Sequence, residues 1–455
     1  MKKIIQENTR LAVCAFVALA AFMVTEPALA AVTEETAYIF NTFAFLVSGF
    51  LVMWMAAGFA MLESGLVRTK NTATICLKNI ALYSVAGIMY YLIGYSLMYV
   101  DVSGYIGSLS GAFYNPSADE LALLGADEVT EELVAAVTGN GYSVGSDWFF
   151  QMVFVATAAS IVSGTVAERI KFWPFMIFTV VLTGIIYPIQ GSWTWGGGWL
   201  AEMGFSDFAG STIVHSVGGW AALTGAIILG ARKGKYGKDG SVNPMPGANL
   251  PLATVGTFIL WLGWFGFNGG SVLALGDAAS ATWMAIVYNN TNLAAAGGVV
   301  AAMCVTQILY KKIDLTMALN GAIAGLVSIT AGPDLTNHFL SIIIGAIGGV
   351  LVVFAVPLLD KLKIDDVVGA ISAHLVCGIW GTLAVGIFGS GSLGVQITGI
   401  IAIGVFTVVT SGILWFLLKV TVGIRASEED EFAGLDQAEL GMEAYPEFGS
   451  GSQRI

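Results

Sequence analysis

The sequence predicts an all-α polytopic membrane protein that crosses the bilayer eleven times. Apolar residues make up 56% of the 455 residues and charged residues only 11%, whereas soluble domains carry about 25% charged residues. Apolar runs of roughly 18 residues or more recur along the chain, and each is long enough to cross ~30 Å of hydrocarbon. A third observation, the distribution of Lys and Arg, orients the predicted helices.

Residues 1–30 are predicted to be a cleaved signal peptide. A basic "MKKIIQENTR" precedes the short apolar "LAVCAFVALAAFMV", and "EPALA" ends in a small-x-small pattern, which is the order of a secretory signal. An uncleaved first span is the alternative. The cysteines that remain, Cys76, Cys304 and Cys377, lie in or beside apolar runs at spacings that indicate neither a disulfide nor a metal site.

A single membrane domain, residues 31–423, holds the eleven predicted spans. Their approximate ranges are 37–61, 80–100, 148–166, 172–189, 208–231, 250–267, 284–310, 315–332, 339–359, 367–388 and 393–422. The sixteen Lys and Arg residues outside the signal peptide all fall in alternate connections or in the tail, beginning with Arg68, Lys70 and Lys78 after span one. The positive-inside rule therefore places the N-terminus outside and the C-terminus in the cytoplasm.

Two polar segments carry most of the net charge of −12. The outer loop 101–147 contains acids and no base, and its "DEVTEELVAAVTG" favours a short amphipathic helix. The tail, residues 424–455, is acidic and too polar to insert into a bilayer. A flexible solvated tail and a docking segment are both compatible with its composition.

Two histidines lie in small, apolar surroundings deep within predicted spans. His215 is about 12 Å inside the outer end of span five, which Asp207 marks, and His374 is about 16 Å above Lys363 at the inner face, in span ten. Five spans followed by five more would give an inverted repeat with both histidines at corresponding positions and span eleven as an addition. We therefore predict a shared functional centre; the alternative is that each imidazole bonds a neighbouring helix.

Neutral imidazoles in an apolar duct favour a substrate that is neutral or that can release a proton. A permanent cation needs carbonyl or carboxylate groups to replace its hydration shell. Imidazole can exchange hydrogen bonds with a small neutral molecule and pass protons near neutral pH. An enzyme with a bound metal is disfavoured because two histidines without a third ligand make a poor zinc site. The sequence contains no pattern for another cofactor, a nucleotide or a nucleic acid.

Several long motifs, spread over almost the whole chain after residue 37, resemble those of one known family. They are "GFAMLESGLVRTKN", "FQMVFVATAASIVSGTVAERIKF", "WGGGWLAEMGFSDFAGSTIVH", "GWFGFNGGS", "DDVVGAISAHLVCGIWG" and the tail "GIRASEEDEFAGLDQAELGMEAY". Together with the eleven spans they resemble the ammonium transporter (Amt/Mep/Rh) family, in particular its bacterial and archaeal Amt branch. The resemblance implies a homotrimer in the bacterial inner membrane, with one narrow apolar pore through each subunit and no enzymatic activity.

The resemblance also implies an outer site and a gate. Trp195, Phe154 and Ser271 would recruit ammonium, or methylammonium as its analogue, since an aromatic face attracts a cation by ~0.5–2 kcal/mol and a hydroxyl accepts an N–H bond. Phe154 and Phe267 would form a phenyl gate beneath that site. Without the family, the two Phe would read as core or lipid-facing residues, Trp195 as an interfacial belt residue and Ser271 as a helix cap.

Deeper in the pore, the resemblance implies that His215 and His374 line the path and relay protons. Asp207 matches the acidic residue at the base of the family's vestibule, although its position just before "FAGSTIV" favours the structural role of N-cap of span five. One departure concerns span ten. Some relatives have an acid five residues before the second histidine, whereas this chain has Gly369, so the residues that hold the inner end of that span are not identified.

The sequence therefore leaves three candidate functions. The first is ammonium uptake, with recruitment of the cation, loss of a proton near the phenyl gate, passage of ammonia past the imidazoles, and a proton that follows. The second is an ammonium sensor that signals through a cytoplasmic partner, and the third is the metal-dependent enzyme. The resemblance further implies that a PII-type signalling protein binds the cytoplasmic face.

Overall fold

The described residues, 32–447 of a computed structural model, are helical, and within that range the only β pairing is two isolated bridges. Ten of these helices are long and apolar enough to cross a membrane, and one further apolar helix is shorter. In chain order they are α1 (Glu34–Leu66), α2 (Thr69–Tyr99), α3 (Val144–Val166), α4 (Phe172–Ser192), α5 (Ser211–Leu229), α6 (Leu250–Gly270), α7 (Ala278–Tyr310), the shorter α8 (Leu315–Ile329), α9 (His338–Lys361), α10 (Ile371–Phe388) and α11 (Leu393–Thr421). The all-α class is confirmed. Eleven crossings remain a prediction, and the signal peptide lies outside the described residues.

Helix α8 is the element that leaves the number of crossings open. Its 15 residues correspond to about 22 Å, which is less than the ~30 Å of a hydrocarbon core. Every residue from Ala318 to Ile329 is buried, whereas Leu315 in the first turn is exposed, so all of the helix after its first turn is enclosed by protein. A helix enclosed in this way can be shorter than the bilayer is thick, because neighbouring protein satisfies the polar groups at its ends.

The predicted connection between the first two spans is wrong in one respect. Lys78 was expected between spans one and two, but it lies inside α2 and is 1% exposed. Its Nζ donates to the carbonyl of Ser163 at 3.0 Å and lies 5.0 Å from the ring centroid of Phe175. The apolar pattern marks only the lipid-facing part of a helix, so a cation that is bonded inside the protein resembles a loop residue in the sequence.

The neighbour relations of the first five helices recur in the second five. Helix α1 packs on α3, α2 on α4 and α3 on α5; correspondingly, α6 packs on α8, α7 on α9 and α8 on α10. Helices α5 and α10 cross antiparallel, because Gly378 lies against the Ser211 carbonyl while Gly219 lies against Leu375. This is the arrangement that the predicted two-half organisation requires, and it brings the two histidine-bearing helices together.

The end of the molecule opposite the tail carries the acidic loop. A helix occupies Glu131–Thr138, so the amphipathic helix predicted in this segment is confirmed. A second short helix, Ala118–Gly125, begins with a capping box in which Ser117 and Glu120 satisfy each other's backbone N–H groups. The loop is therefore an ordered cover beside the ends of α1 and α3.

One end of the molecule, which we call the basic end, is held by ion pairs. It contains Arg68, Arg169, Arg232 and Arg425. Asp365 accepts Arg232 Nε and Nη2, both at 2.9 Å, and Glu168 pairs with Arg68 and Arg232. Burial alone would raise the pKa of Asp365, but the hydrogen bonds of Arg232 and the charges of Arg169 and Arg232 lower it well below its ordinary value. These pairs fix the connections that precede α4, α6 and α10.

The described part of the tail is docked on this end. Asp436 accepts the backbone N–H groups of Ala73 and Thr74 at 2.9 and 2.7 Å, and so satisfies the start of α2. Glu431 accepts the backbone N–H of Lys233 and pairs with Arg425 at 2.7 Å. Residues up to 447 therefore follow the surface of their own chain, with the acids of the tail against the basic connections.

Replacing Asp365 tests the importance of this network. Asp365→Asn is expected to lower the free energy of unfolding by about 3 kcal/mol at pH 7, because it removes the carboxylate that accepts two hydrogen bonds from the buried Arg232 guanidinium and leaves only the longer pair with Glu168, at 3.3 Å. The folded pKa is lowered, so the contribution is present above the unfolded value of about 3.9 and declines as the pH falls below it. Unfolding in detergent, followed by tryptophan fluorescence between pH 3 and 8, should show the deficit shrinking in acid.

The control for that experiment is Glu428→Gln. Glu428 also pairs with a basic residue, Lys233, but both side chains are exposed, at 76% and 55%, and exposed pairs contribute about 0–1 kcal/mol. Equal losses for the two variants, or a deficit independent of pH, would contradict the assignment.

Candidate functional site

Helices α5 and α10 are both preceded by an aspartate that lies eight residues before a histidine; Asp207 is buried and Asp366 is half-buried. Asp207 accepts the backbone N–H groups of four residues, Gly210 at 3.1 Å and Ser211, Thr212 and Ile213 each at 2.8 Å. Gly210 has φ +107°, a conformation that favours glycine. The first residues, Ser211–Ser216, then form a π-helical turn that ends just after His215.

Asp366 does the same for α10. It accepts Ala370 N–H at 3.0 Å, Ile371 N–H at 2.8 Å and Thr165 Oγ1–H at 2.9 Å. Gly369 has φ +81°, and the turn Ile371–Val376 is again π-helical. Burial raises the pKa of Asp366 to about 6, although the hydrogen bonds to Thr165 and the backbone oppose it. Asp366 is therefore the residue that holds the start of α10 in place of an acid at position 369.

The repeated spacing places two imidazoles in contact at the centre of the molecule. His215 and His374 are 0% and 3% exposed. Their Nδ1 atoms lie 3.2 Å apart and their ring centroids 5.2 Å apart, at an interplanar angle of 24°. One Nδ1 must donate and the other accept, so two neutral rings hold opposite tautomers and share one proton between them. This geometry allows a proton to be exchanged from ring to ring.

Aromatic rings continue the path on one side of this pair. His215 packs against both Trp264 and Phe267, at centroid distances of 4.9 and 5.2 Å, and these two rings also contact each other at 5.7 Å. Phe267 in turn packs on Phe154 at 4.0 Å with an angle of 32°. Phe154 and Phe267 are both buried, at 1% and 0% exposure. The two phenyl rings therefore place apolar surface next to the histidine pair.

Beyond the phenyl pair lies a cavity of about 390 Å³ that we call the vestibule. Phe154, Trp195 and Ser271 line it together with Phe208. The Trp195 ring meets Phe154 edge-on at 5.9 Å, and its Nε1–H donates to the Asp207 carbonyl at 3.0 Å. Ser271 Oγ donates to the Phe267 carbonyl at 2.8 Å, which leaves its lone pairs able to accept. The predicted recruitment residues are thus brought into one cavity.

A second cavity of about 180 Å³ lies at the basic end. Asn320, Asp366, Gly369 and Ser372 line it, and the Asn320 amide lies close against Gly369. Ser372 is two residues from His374, and its buried hydroxyl has no hydrogen-bond partner among the described residues. Charged side chains line this cavity as well, namely Arg232, Lys235, Asp360 and Asp366, so the path opens here into a polar, charged end.

Comparison with known proteins agrees with this geometry. The family model described as Ammonium Transporter Family matches residues 43–445. The chain belongs to the ammonium transporter family. It is 39% identical over 439 residues to Ammonium transporter Amt2 of Archaeoglobus fulgidus, covering 89% of this chain and 87% of that protein. It is 36% identical over 426 residues to Ammonium transporter Amt1 of Haloferax mediterranei, with 89% and 78% covered. The resemblance predicted from the motifs is confirmed, and the family is one of transporters, not enzymes.

Solved structures of the family share the fold. A chain titled Sensor Amt Protein aligns with a TM-score of 0.81 at 36% identity, covering 90% of this chain and all of that one. Mep2 from Candida albicans aligns with a TM-score of 0.77 at 28% identity, covering 90% and 91%. Similarity to a transporter and to a sensor means that the fold alone does not separate uptake from sensing.

Two residues of this site were not singled out from the sequence. Trp264 stacks on His215 and donates from Nε1 to Thr330 Oγ1 at 2.8 Å, but one tryptophan within an apolar run gives no signal of such a role. Asp366 does have a signal, because "DFAGSTIVH" and "DVVGAISAH" share Asp, Gly and His at equal spacing. Within residues 32–447 no group of three His, Cys, Asp or Glu side chains is arranged to hold a metal ion.

Proposed function

We propose that this ammonium transporter family member recruits ammonium in the vestibule, removes a proton at the phenyl gate and conducts ammonia past the paired histidines. The observation that carries the proposal is the continuous series vestibule, Phe154–Phe267, His215–His374 and basic-end cavity. Between the two cavities this series contains rings and no fixed charge. A potassium ion would lose its hydration there without replacement, whereas ammonium can leave its charge behind as a proton.

We further propose that the proton follows through the histidines, so that transport is electrogenic. The Nδ1–Nδ1 contact of 3.2 Å gives the two rings a direct exchange route, and imidazole is suited to proton transfer near neutral pH. Asp207 in this scheme is a positioning residue, because all four hydrogen bonds of its carboxylate come from backbone N–H groups at the start of α5.

The membrane arrangement follows from charge. The basic end would face the cytoplasm and the vestibule the outside, by the positive-inside rule. The family resemblance supports a homotrimer in the bacterial plasma membrane. It also supports a PII-type regulator at the basic end, where the loop containing Lys233, Lys235 and Lys238 lies close to the docked tail.

A sensor that signals through a partner is the second candidate. Similarity to the chain titled Sensor Amt Protein favours it, and the tail bound to the start of α2 offers a surface that a partner can read. Uptake measured in cells lacking any bound partner separates the two. Ammonium uptake that persists supports a transporter, whereas uptake that is absent although the protein is in the membrane supports a sensor.

Current recording on reconstituted protein tests the transport mechanism directly. Proteoliposomes on a solid-supported membrane should give transient currents with ammonium, smaller currents with methylammonium and none above background with potassium. Methylammonium is expected to be slower because its methyl group must pass the same phenyl pair. A potassium current equal to the ammonium current would contradict deprotonation at the gate, and absence of an ammonium current would contradict electrogenic transport.

A further inference from the structure

The vestibule contains one side chain that carries a charge at neutral pH, Asp147. Its other lining residues are aromatic, amide, hydroxyl or aliphatic. Asp147 is 7% exposed and belongs to none of the ion pairs found in residues 32–447. A buried carboxylate without a counter-charge, at the mouth of a path for a cation, calls for a functional explanation.

Helix geometry connects this carboxylate to the aromatic site. Asp147, Phe150, Gln151 and Phe154 stand at positions i, i+3, i+4 and i+7 of α3, so they share one face, and that face lines the vestibule. The rise of a helix places Asp147 about 10 Å from Phe154 along the axis. A cation that approaches the gate along this face meets the carboxylate about two turns before it meets the phenyl ring.

Neutral donors hold the carboxylate in place without cancelling its charge. Tyr95 Oη donates to Asp147 Oδ2 at 2.8 Å, and Gln151 Nε2 donates to Oδ1 at 3.1 Å. Asp147 also lies in the first turn of α3, where the helix dipole favours a negative side chain. Hydroxyl and amide donors together with this dipole stabilise the ionised form and leave the negative potential to act on the cavity.

We infer that Asp147 is a specificity-determining residue of the vestibule, which attracts monovalent ammonium and small alkylammonium cations and so lowers the concentration at which the transporter half-saturates. The inference rests on the proposed function, because it assigns the charge to the same recruitment site. A narrow cavity with aromatic walls concentrates the field of a single charge. The aromatic faces of Trp195 and Phe154 then complete binding where the carboxylate has raised the local cation concentration.

The experiment compares half-saturating ammonium and methylammonium concentrations in current recordings from wild type and variants. Asp147→Asn keeps the size and the hydrogen-bond acceptor but removes the charge, and it should raise the half-saturating concentration roughly five- to tenfold, as expected for a charge about 10 Å away in a partly solvated site. The maximal current should change by less than about twofold, because the gate and the histidines are untouched. Asp147→Glu should restore most of the affinity.

Two further variants separate charge from architecture. Tyr95→Phe removes the bond that ties α2 to Asp147 but leaves the carboxylate, so it should raise the half-saturating concentration much less than Asp147→Asn does. Asp277→Asn is the matched control. Asp277 is an exposed acid at the start of α7, near the same end, and Asn also accepts the capping bonds from Ala279 and Ser280. This variant changes the net charge equally and should behave as wild type.

The outcomes are distinct. The inference would be overturned if Asp147→Asn kept the wild-type half-saturating concentration, or if Tyr95→Phe raised that concentration as much as Asp147→Asn does. The proposed transport function would stand in either case. Absence of both an ammonium current and ammonium uptake in wild-type proteoliposomes would instead overturn the proposed function. If Asp147→Asn does not reach the membrane, Asp147→Ser is the second neutral variant, and the same rise in half-saturating concentration is expected of it.

Discussion

Replacing both central histidines by alanine should strongly reduce the selectivity for ammonium over potassium. The double variant His215→Ala, His374→Ala removes two rings that fill the path between the phenyl gate and the basic-end cavity. The space left is polar at one end and large enough for several waters, and a hydrated path carries ions that a dry one rejects. We expect the ratio of ammonium to potassium current to fall by roughly tenfold or more, measured on solid-supported membranes.

The control for this prediction is the third histidine. His338 lies at the vestibule end, where its Nδ1 bonds Asn290 Oδ1 at 2.7 Å, and it is not part of the path. His338→Ala should retain wild-type selectivity even if it is less stable. Single variants are also informative, because His215 stacks on both Trp264 and Phe267 whereas His374 does not. Unchanged current and selectivity in the double variant would remove the imidazoles from the mechanism.

Composition and charge pattern carried much of the fold prediction, for a physical reason. A bilayer requires long apolar helices, and Lys and Arg are concentrated in the connections on one side of the membrane. Both features can be recognised directly in the sequence. The prediction of the connections is wrong where a side chain within a helix is surrounded by protein and not by lipid. Lys78 is enclosed by Ser163 and Phe175, whereas the predicted span 315–332 does contain a helix, Leu315–Ile329. Burial against other helices leaves no hydropathy signal.

Only some residues of the candidate site could be predicted from the sequence alone. His215 and His374 could be found because a titratable residue in an apolar run is unusual. Phe154 and Phe267 could be selected from 26 Phe residues only through the family motifs, since their contact joins α3 and α6. Asp147 sits at the boundary between an acidic loop and a span, where an acid is ordinary. Only the three-dimensional packing shows that it faces the vestibule.

Replacing Asp207 by alanine should have the largest effect on stability. The substitution leaves four buried N–H groups at the start of α5 without an acceptor, each of which costs about 1–3 kcal/mol when unpaired and unrelaxed. Partial rearrangement of the turn recovers some of this, so we expect a loss of about 3–5 kcal/mol in the free energy of unfolding. Asp207→Asn keeps one acceptor and should lose about half as much. Unfolding in detergent, followed by tryptophan fluorescence, measures both.

The comparison that decides the role of Asp207 is with Asp277, which caps α7 with two N–H bonds but is exposed. Asp277→Ala should cost only about 1 kcal/mol, because water replaces the lost acceptor. Equal losses at the two positions would show that burial of the cap is unimportant. If Asp207 instead binds the cation, Asp207→Asn would raise the half-saturating ammonium concentration without changing stability. The geometry predicts the opposite, a less stable protein with near-normal affinity, since Asp207 is directed at the backbone that positions His215.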